Sequence, residues 1–276
     1  MIAKAPLRIS LFGGGSDLPM FRDLTGSGGC VLSCTIDKYT YLQNGVAWND
    51  IPPGSGLGGS GAACVARAKL GASLYSYGAY ISDRELFNRA WFYETEQNPH
   101  AGWQDVAASF FGGLNLFTFE EELQVEPIPI PPGLDERLLL FSTGVTRKAS
   151  EPLAMQAEQM PTDPFILNNL TIAAEMASTA SAYLEAERLH WIGPMLHEAW
   201  QDKRRLPGVT TPAIDHAYDA ARNAGAAGGK LCGAGGGGYM LFYVEPDAQG
   251  SVRAAMAGLG MDELVFHLTA QGASLI

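Results

Sequence analysis

The residues that point most directly to chemistry are glycines. Between 52 and 61 the chain reads PPGSGLGGSG, and the segment that follows, AACVARAKLGASLYSYG, has a helical pattern. A glycine-rich loop running straight into a helix aims several backbone N–H groups from the positive end of the helix dipole. That makes an anion site, and polyphosphate is its commonest occupant. Five glycines in the eight residues Gly54 to Gly61 are more than a tight helix entry needs. The loop does not end in G-K-[ST], so it offers no P-loop lysine. It also lacks the GxGxxG spacing with a later acid that a dinucleotide site shows, which disfavours a nicotinamide oxidoreductase. Two further clusters stand at GGG 13–15 and GAGGGG 233–238. The first reads as a tight turn after a strand. The second has no reactive side chain, and its glycines let backbone approach the phosphate loop or a substrate where a Cβ would clash.

Composition limits what such a site can meet. The 276 residues carry 18 Lys+Arg against 29 Asp+Glu, a net charge of −11, with 47% hydrophobic and 17% charged residues. An acidic surface with no basic run repels nucleic acid and anionic membranes. A phosphate-bearing ligand must then be held by backbone N–H groups, Mg²⁺ or one or two placed cations. Cys30, Cys34, Cys64 and Cys232 form no CxxC pair and sit among apolar residues, which reads as reduced thiols in a reducing compartment. The apolar stretch in MIAKAPLRISLFGGG breaks into glycine almost at once, so it reads as neither signal peptide nor anchor, and a cytoplasmic protein is expected.

The elements that must position these loops are legible in outline. Residues 5–12 read as a strand, 30–43 as a strand or hairpin, and LNLFTF (114–119) as another strand. Ser82-Asp83 caps a helix through Leu86, Phe87, Ala90 and Trp91 to Glu94 and Glu96, and 103–111 makes a short helix. The proline-rich stretch 127–133 is the linker candidate. Beyond it, strands are expected at 137–142, 239–244 and 264–269. Helices are expected at 150–160, 163–188, 193–205, 212–224 and 247–259. This order predicts helices on one face of an antiparallel sheet. No internal repeat and no low-complexity tail is present.

The three glycine clusters, in this order, resemble the three signature motifs of the GHMP kinases: KAPLRISLFGGGSDLP, PPGSGLGGSGAA and KLCGAGGGGYMLF. The phrases TIDKYTY, GWQD, FGGLN and STGVTRKAS are similar to the branch that holds heptose 7-phosphate kinases and bacterial fucokinase domains. The match spans nearly the whole chain. It implies an α+β fold, with a ribosomal-S5-domain-2-like unit at 1–132, a ferredoxin-like unit at 133–276 and the active site between them. It also implies transfer of the γ-phosphoryl group of Mg·ATP to a hydroxyl of a small sugar phosphate, by a monomer or homodimer.

Carried over motif by motif, the resemblance gives a phosphate loop of Pro53, Gly54, Ser55, Gly56, Leu57, Gly58, Gly59, Ser60 and Gly61. The Ser60 hydroxyl helps hold Mg²⁺, and an acid on a following helix completes the metal site. Glu94 and Glu96 both fit, Glu96 being preferred by an E-x-E pattern, and a solvated helix end is the alternative for either. Asp105 matches the base that takes the acceptor proton, work that suits a carboxylate. Arg8 would neutralise developing charge and keep Asp105 ionised. Asp17, with Gly14, Gly15 and Ser16, matches the sugar-binding turn of motif one, although Asp17 can also serve as a turn cap. Gly235 and Gly236 belong to the substrate side. Two basic clusters remain. Arg147-Lys148 is assigned to the acceptor phosphate, and Lys203-Arg204-Arg205 to the negative end of a helix.

One departure stands out. In this family dozens of residues separate the TIDKYTY strand from the phosphate loop and supply part of the adenine pocket. Here only QNGVAWND lies between Leu42 and Ile51. Either the chain is truly shortened here or a stretch is missing between two intact pieces, and the second is expected. The rival functions are a different acceptor such as fucose, and an inactive homologue kept for binding. Retention of Arg8, Asp17, Ser60 and Asp105 together argues against the second.

Overall fold

A computed structural model describes residues 1–75, 80–145 and 150–276. In chain order its elements are β1 Ala3–Phe12, α1 Pro19–Thr25, β2 Gly29–Gln43, β3 Val46–Asn49, α2 Gly59–Tyr75, α3 Asp83–Gln97 and α4 Gln104–Phe111. Next come β4 Leu114–Phe119, β5 Leu123–Ile128, β6 Leu138–Ser142, α5 Ser150–Gln159, α6 Pro164–Glu185 and α7 Ile192–Lys203. The chain finishes with α8 Pro212–Asn223, β7 Gly228–Leu231, β8 Tyr239–Tyr243, α9 Gln249–Gly258, β9 Glu263–Leu264 and β10 Ser274–Leu275. The first sheet has the order β10-β1-β2-β4-β5 with β3 paired to β2, and the second the order β7-β8-β6-β9. Every pairing is antiparallel. No helix among the described residues is long and apolar enough to cross a membrane.

Alternation along β1 explains how one strand serves both core and site. Leu7, Ile9 and Leu11 enter the core of the first sheet, while Arg8 and Ser10, on the opposite face, line a cavity between the sheets. The β1–β2 register shifts between Pro6 and Arg8 and again between Ser10 and Phe12. Such bulges re-aim side chains, and these two bracket the pair that faces the cavity. The long helix α6 fastens the two layers. Its first half, Ile166 and Leu170, packs in the core of the second sheet, and its second half, Ala177, Ala180 and Leu184, in that of the first.

Four differences from the sequence reading have physical causes. Residues 30–43 form one strand, and Asn44 and Gly45, at φ of 48° and 78°, make the tight turn into β3. Asn-Gly is the usual pair for a two-residue hairpin, so QNG is a turn and not an abrupt joint. Pro127 lies inside β5, not in a linker, and is tolerated because β5 is an edge strand with no neighbour beyond it among the described residues. β7 is built on GGKL, a poor strand former, because the carbonyls of Gly193 and Leu241 stand where Cβ atoms at 228 and 229 would go. The stretch 264–269 joins the second sheet through Leu264 alone. Its remainder leaves the second sheet, bridges Leu268 to Ile36, and leads to β10 on the first.

Candidate active site

The phosphate loop is a chain of left-handed turns. Gly54, Gly56 and Gly58 have φ of 80°, 78° and 76°, which only glycine adopts without strain, and the loop delivers the chain into α2 at Gly59. Backbone bonds fix it from two sides. Arg8 N donates to Leu57 O at 2.9 Å, and Tyr239 N donates to Ser55 O at 3.2 Å. The first bond ties the loop to β1, and the second ties it to the far end of the 233–238 turn.

Beside the loop, Arg8 is 3% exposed and donates to Asp105 Oδ1 through both Nε (2.9 Å) and Nη2 (2.6 Å), and through Nη1 to Gly56 O (2.8 Å). One guanidinium therefore spans the loop and the first turn of α4. Both bonds to Asp105 use Oδ1, so Oδ2 has no hydrogen-bond partner among the described residues. Asp105 retains partial exposure, with 30% of its side chain open. Pressed against Arg8 and reachable from the cavity, it can accept a proton.

The cavity holds about 490 Å³ and is lined by Pro53, Gly54, Ser55, Gly56, Gly58, Gly59 and Ser60 on one side. Arg8, Asp105, Asp17, Gly14 and Gly15 line the other. Asp17 caps the turn and also lines the cavity: Oδ1 accepts from Gly15 N (3.0 Å) and Oδ2 accepts from Gln104 N (3.1 Å). Burial pushes its pKa up, the two N–H bonds pull it back, and the Asp105 charge raises it again.

Glu94 and Glu96 separate cleanly. Ser60 Oγ donates to Glu94 Oε2 at 2.7 Å, whereas Glu96 is exposed and does not line the cavity. Of the two, Glu94 and not the expected Glu96 stands beside Ser60 and lines the cavity. Helix periodicity held the signal, because Leu86, Ala90 and Glu94 recur every four residues on the buried face of α3. Burial, more than any other influence, raises the Glu94 pKa; the Ser60 hydroxyl lowers it and the Asp105 charge raises it. A partly desolvated carboxylate beside a hydroxyl and near a second carboxylate is a donor set of hard oxygens. It suits Mg²⁺, which takes few protein ligands and leaves the rest to phosphate and water. Among the described residues no group of three or more His, Cys, Asp or Glu forms a metal cage.

Other expected residues fall elsewhere. Ser16 is spent on structure: its hydroxyl donates to Gly13 O (2.8 Å), with Cys30 O (3.1 Å) as the alternative acceptor, and accepts from Cys30 N, and it does not line the cavity. Leu57 is a core residue, and Gly61 lies against the Asp105 backbone where α2 and α4 pack. Gly235 and Gly236 face the 208–209 turn and not the cavity. Gly236 N donates to Val209 O, and a Cβ on Gly235 would sit 2.6 Å from Val209 Cα. From that cluster Gly233 and Ala234 reach the cavity instead. Arg147 lies outside the described residues. Lys203 does not cap the helix end; it turns into the cavity, while Arg204 pairs with Asp215 at 2.6 Å and Arg205 lies over Phe165. Lys203 was legible as the next step of the buried stripe Ile192, Leu196, Trp200. Two more cavity groups went unassigned. Ser10 Oγ and Gln104 Oε1 are buried without a hydrogen-bond partner among the described residues, and both residues line the cavity.

Comparison with known proteins fits this geometry. The family description "GHMP kinases N terminal domain" matches residues 29–113, and "GHMP kinases C terminal" matches 180–260. The chain is 28% identical over 207 residues to the D-glycero-alpha-D-manno-heptose 7-phosphate kinase of Campylobacter jejuni, covering 72% of this chain and 60% of that protein. It is 31% identical over 215 residues to the L-fucokinase/L-fucose-1-P guanylyltransferase of Bacteroides fragilis, covering 74% of this chain and 22% of that one. The alignments thus span less than two thirds of either relative. A crystal structure described as a D-glycero-D-manno-heptose 1-phosphate kinase from Bacteroides thetaiotaomicron superposes with a TM-score of 0.75 at 22% identity, over 99% of this chain and 97% of that one, which establishes the fold. With both halves of the family description matched in order, the chain belongs to the GHMP kinases.

Proposed function

We propose that this protein is a kinase that transfers the γ-phosphoryl group of ATP to a hydroxyl of a heptose 7-phosphate, giving a heptose bisphosphate. The observation that carries the reading is the Arg8–Asp105 pair at the rim of a glycine loop, inside one cavity. The loop amides between Gly54 and Ser60 hold the polyphosphate. The acceptor hydroxyl lies against the free Oδ2 of Asp105 and gives up its proton as its oxygen bonds to phosphorus and the β–γ bridge breaks, releasing ADP. Arg8 holds Asp105 Oδ1 in place before that moment and balances charge during it. Ser60 and Glu94 would hold Mg²⁺, which neutralises phosphate charge when bound. Ser10, Asp17 and Gln104 read sugar hydroxyls from the opposite wall. Residues 1–132 carry the phosphate loop, and 133–276 supply the glycine turn that closes over it.

The heptose assignment rests on the Campylobacter relative, and the two heptose kinases named above differ in the phosphate position that their names state. A second reading, L-fucose as acceptor, draws on the 31% identity to the Bacteroides fragilis protein. An acceptor screen with ATP and Mg²⁺, read by phosphorus NMR of the product, separates them. Heptose 7-phosphate is expected to turn over fastest, with new phosphate on a sugar hydroxyl. Equal kcat/KM for free and phosphorylated heptose, or faster turnover of fucose, overturns the assignment.

A further inference from the structure

Lys203 is the last residue of α7, and its ammonium reaches across to the opposite chain segment. It donates to Leu231 O at 3.2 Å and Gly233 O at 2.6 Å. It also lines the main cavity, together with a small second one of about 30 Å³ behind Gly13 and Gly14. An ammonium has three N–H groups. Two are spent on carbonyls, and the third has no partner among the described residues.

The other cations near the site are committed. Arg8 is neutralised by Asp105 and anchored on Gly56, and Lys230 turns its ammonium to Leu11 O at 3.0 Å, outside the main cavity. Three carboxylates, Asp17, Glu94 and Asp105, line that cavity against Arg8 and Lys203. An anionic ligand entering it meets one cation without a carboxylate partner among the described residues, and that cation is Lys203. Of the carbonyls it holds, Leu231 O ends β7 and Gly233 O opens the turn that presses on the phosphate loop, where a Cβ on Gly233 would sit 2.7 Å from Gly56 Cα.

We propose that Lys203 binds a phosphate oxygen of the bound substrates through its third N–H, while its other two tie the end of β7 and the start of the 233–238 turn together beside the phosphate loop. The inference rests on the reading of the cavity as a phosphate-handling site, but not on heptose as the acceptor. The phosphate belongs either to the donor or to a phosphorylated acceptor, and charge-assisted hydrogen bonding serves both.

The surroundings of Lys203 make this bond sensitive to pH. Burial pushes its pKa down to about 8, and the nearby Arg8 adds to the shift. The charged and titratable groups facing it are Arg8 from β1, Lys230 from β7 and Cys232 just beyond, whose thiol burial pushes up. On its own helix Asp202 offers its carbonyl to Asn169 of α6, and Arg204 is paired with Asp215. The ammonium form is the binding form, so affinity for phosphate falls as pH rises through about 8.

Calorimetry on the full chain tests this without turnover. Inorganic tripolyphosphate, heptose 7-phosphate and free heptose are titrated separately into wild type, K203M and K203R at about pH 7 and about pH 9, with melting temperatures recorded. K203M is expected to weaken at least one phosphate-bearing probe by roughly tenfold or more, the range of a lost charge-assisted bond, and to leave free heptose within about twofold. Loss confined to tripolyphosphate identifies the donor phosphate, and loss confined to the sugar phosphate identifies the acceptor. Wild-type affinity should drop between the two pH values, and K203R should bind without that drop. Unchanged phosphate affinity in K203M, or wild-type binding that is flat across pH 8, overturns the proposal. Tripolyphosphate binding that depends on Lys203 in a protein inactive on heptose sinks the acceptor reading and leaves this one standing.

Discussion

The two walls of the cavity are built from different materials. One is backbone: Gly54 to Ser60 present amides and almost no side chain, and hydrogen bonds from Arg8 N and Tyr239 N fix the loop. The other is side chain: Arg8, Asp105, Asp17, Gln104 and Ser10 converge from β1, α4 and the turn after β1. A backbone wall suits a ligand whose charged oxygens are the same in every nucleotide. A side-chain wall can be changed residue by residue, and on the proposed reading it is the wall that chooses the acceptor and takes its proton. Binding and chemistry should therefore come apart under mutation.

The sharpest break is expected on the side-chain wall. Asp105→Asn keeps the shape and one acceptor for Arg8 but cannot take a proton, so kcat should fall by roughly 10²–10⁴-fold with nucleotide affinity little changed. Steady-state rates with ATP titrated by calorimetry check it, and near-wild-type kcat removes Asp105 from the mechanism.

A smaller but cleaner effect is expected on the backbone wall. A Cβ on Gly59 meets nothing nearer than Leu7 Cδ2 at 4.0 Å, so the protein itself does not require glycine there. Gly59→Val should leave the melting temperature close to wild type and weaken nucleotide binding at least tenfold, because the branched side chain occupies phosphate space. Gly235→Ala is the counterpart. At φ of +126° and against Val209, it should cost about 1–3 kcal/mol of stability, seen as a lower melting temperature. If both glycines behave alike, the distinction between a ligand-facing and a packing glycine is lost.

The smallest effect sits where the walls meet. Glu94→Gln should lower kcat and raise the Mg²⁺ concentration needed for half-maximal rate. Glu96→Gln should leave both unchanged and stability within about 0.5 kcal/mol, as for other surface changes. A raised Mg²⁺ requirement in Glu96→Gln with none in Glu94→Gln would return the metal assignment to Glu96.

The backbone wall was legible from sequence because glycine records a conformational need that no other residue meets. Arg8, Asp17, Ser60 and Asp105 were legible through resemblance, and all four line the cavity. What stayed hidden was direction. Glu94 and Glu96 are equal as letters, and only the face of α3 tells them apart. Lys203 looked like a charge at a helix end until the stripe of α7 was followed to its last turn. Ser16, Gly235 and Gly236 show the converse, since motif membership placed them near the ligand while packing consumed them. In the fold, the misread stretches were those where tertiary contacts override local pattern. These are Pro127 on an edge, the glycines of β7, and an alternating tail that changes sheets.

That tail shapes how the molecule must assemble. Residues 267–273 are stitched across the first sheet: Thr269 N donates to Thr35 O, the Thr35 hydroxyl donates to Thr269 O at a separation of 234 residues, and Ala273 N donates to Ser109 O. β10 then pairs with the opening residues of β1. Closing so long a loop costs roughly 3 kcal/mol more than closing a ten-residue one, so the thermodynamic penalty is modest. The kinetic one is larger. Until the tail docks, the backbone of β1 at Ala3 and Lys4 presents an unpaired edge on which another chain can pair. The step that completes the first sheet is thus also the step that ends its exposure to aggregation during refolding.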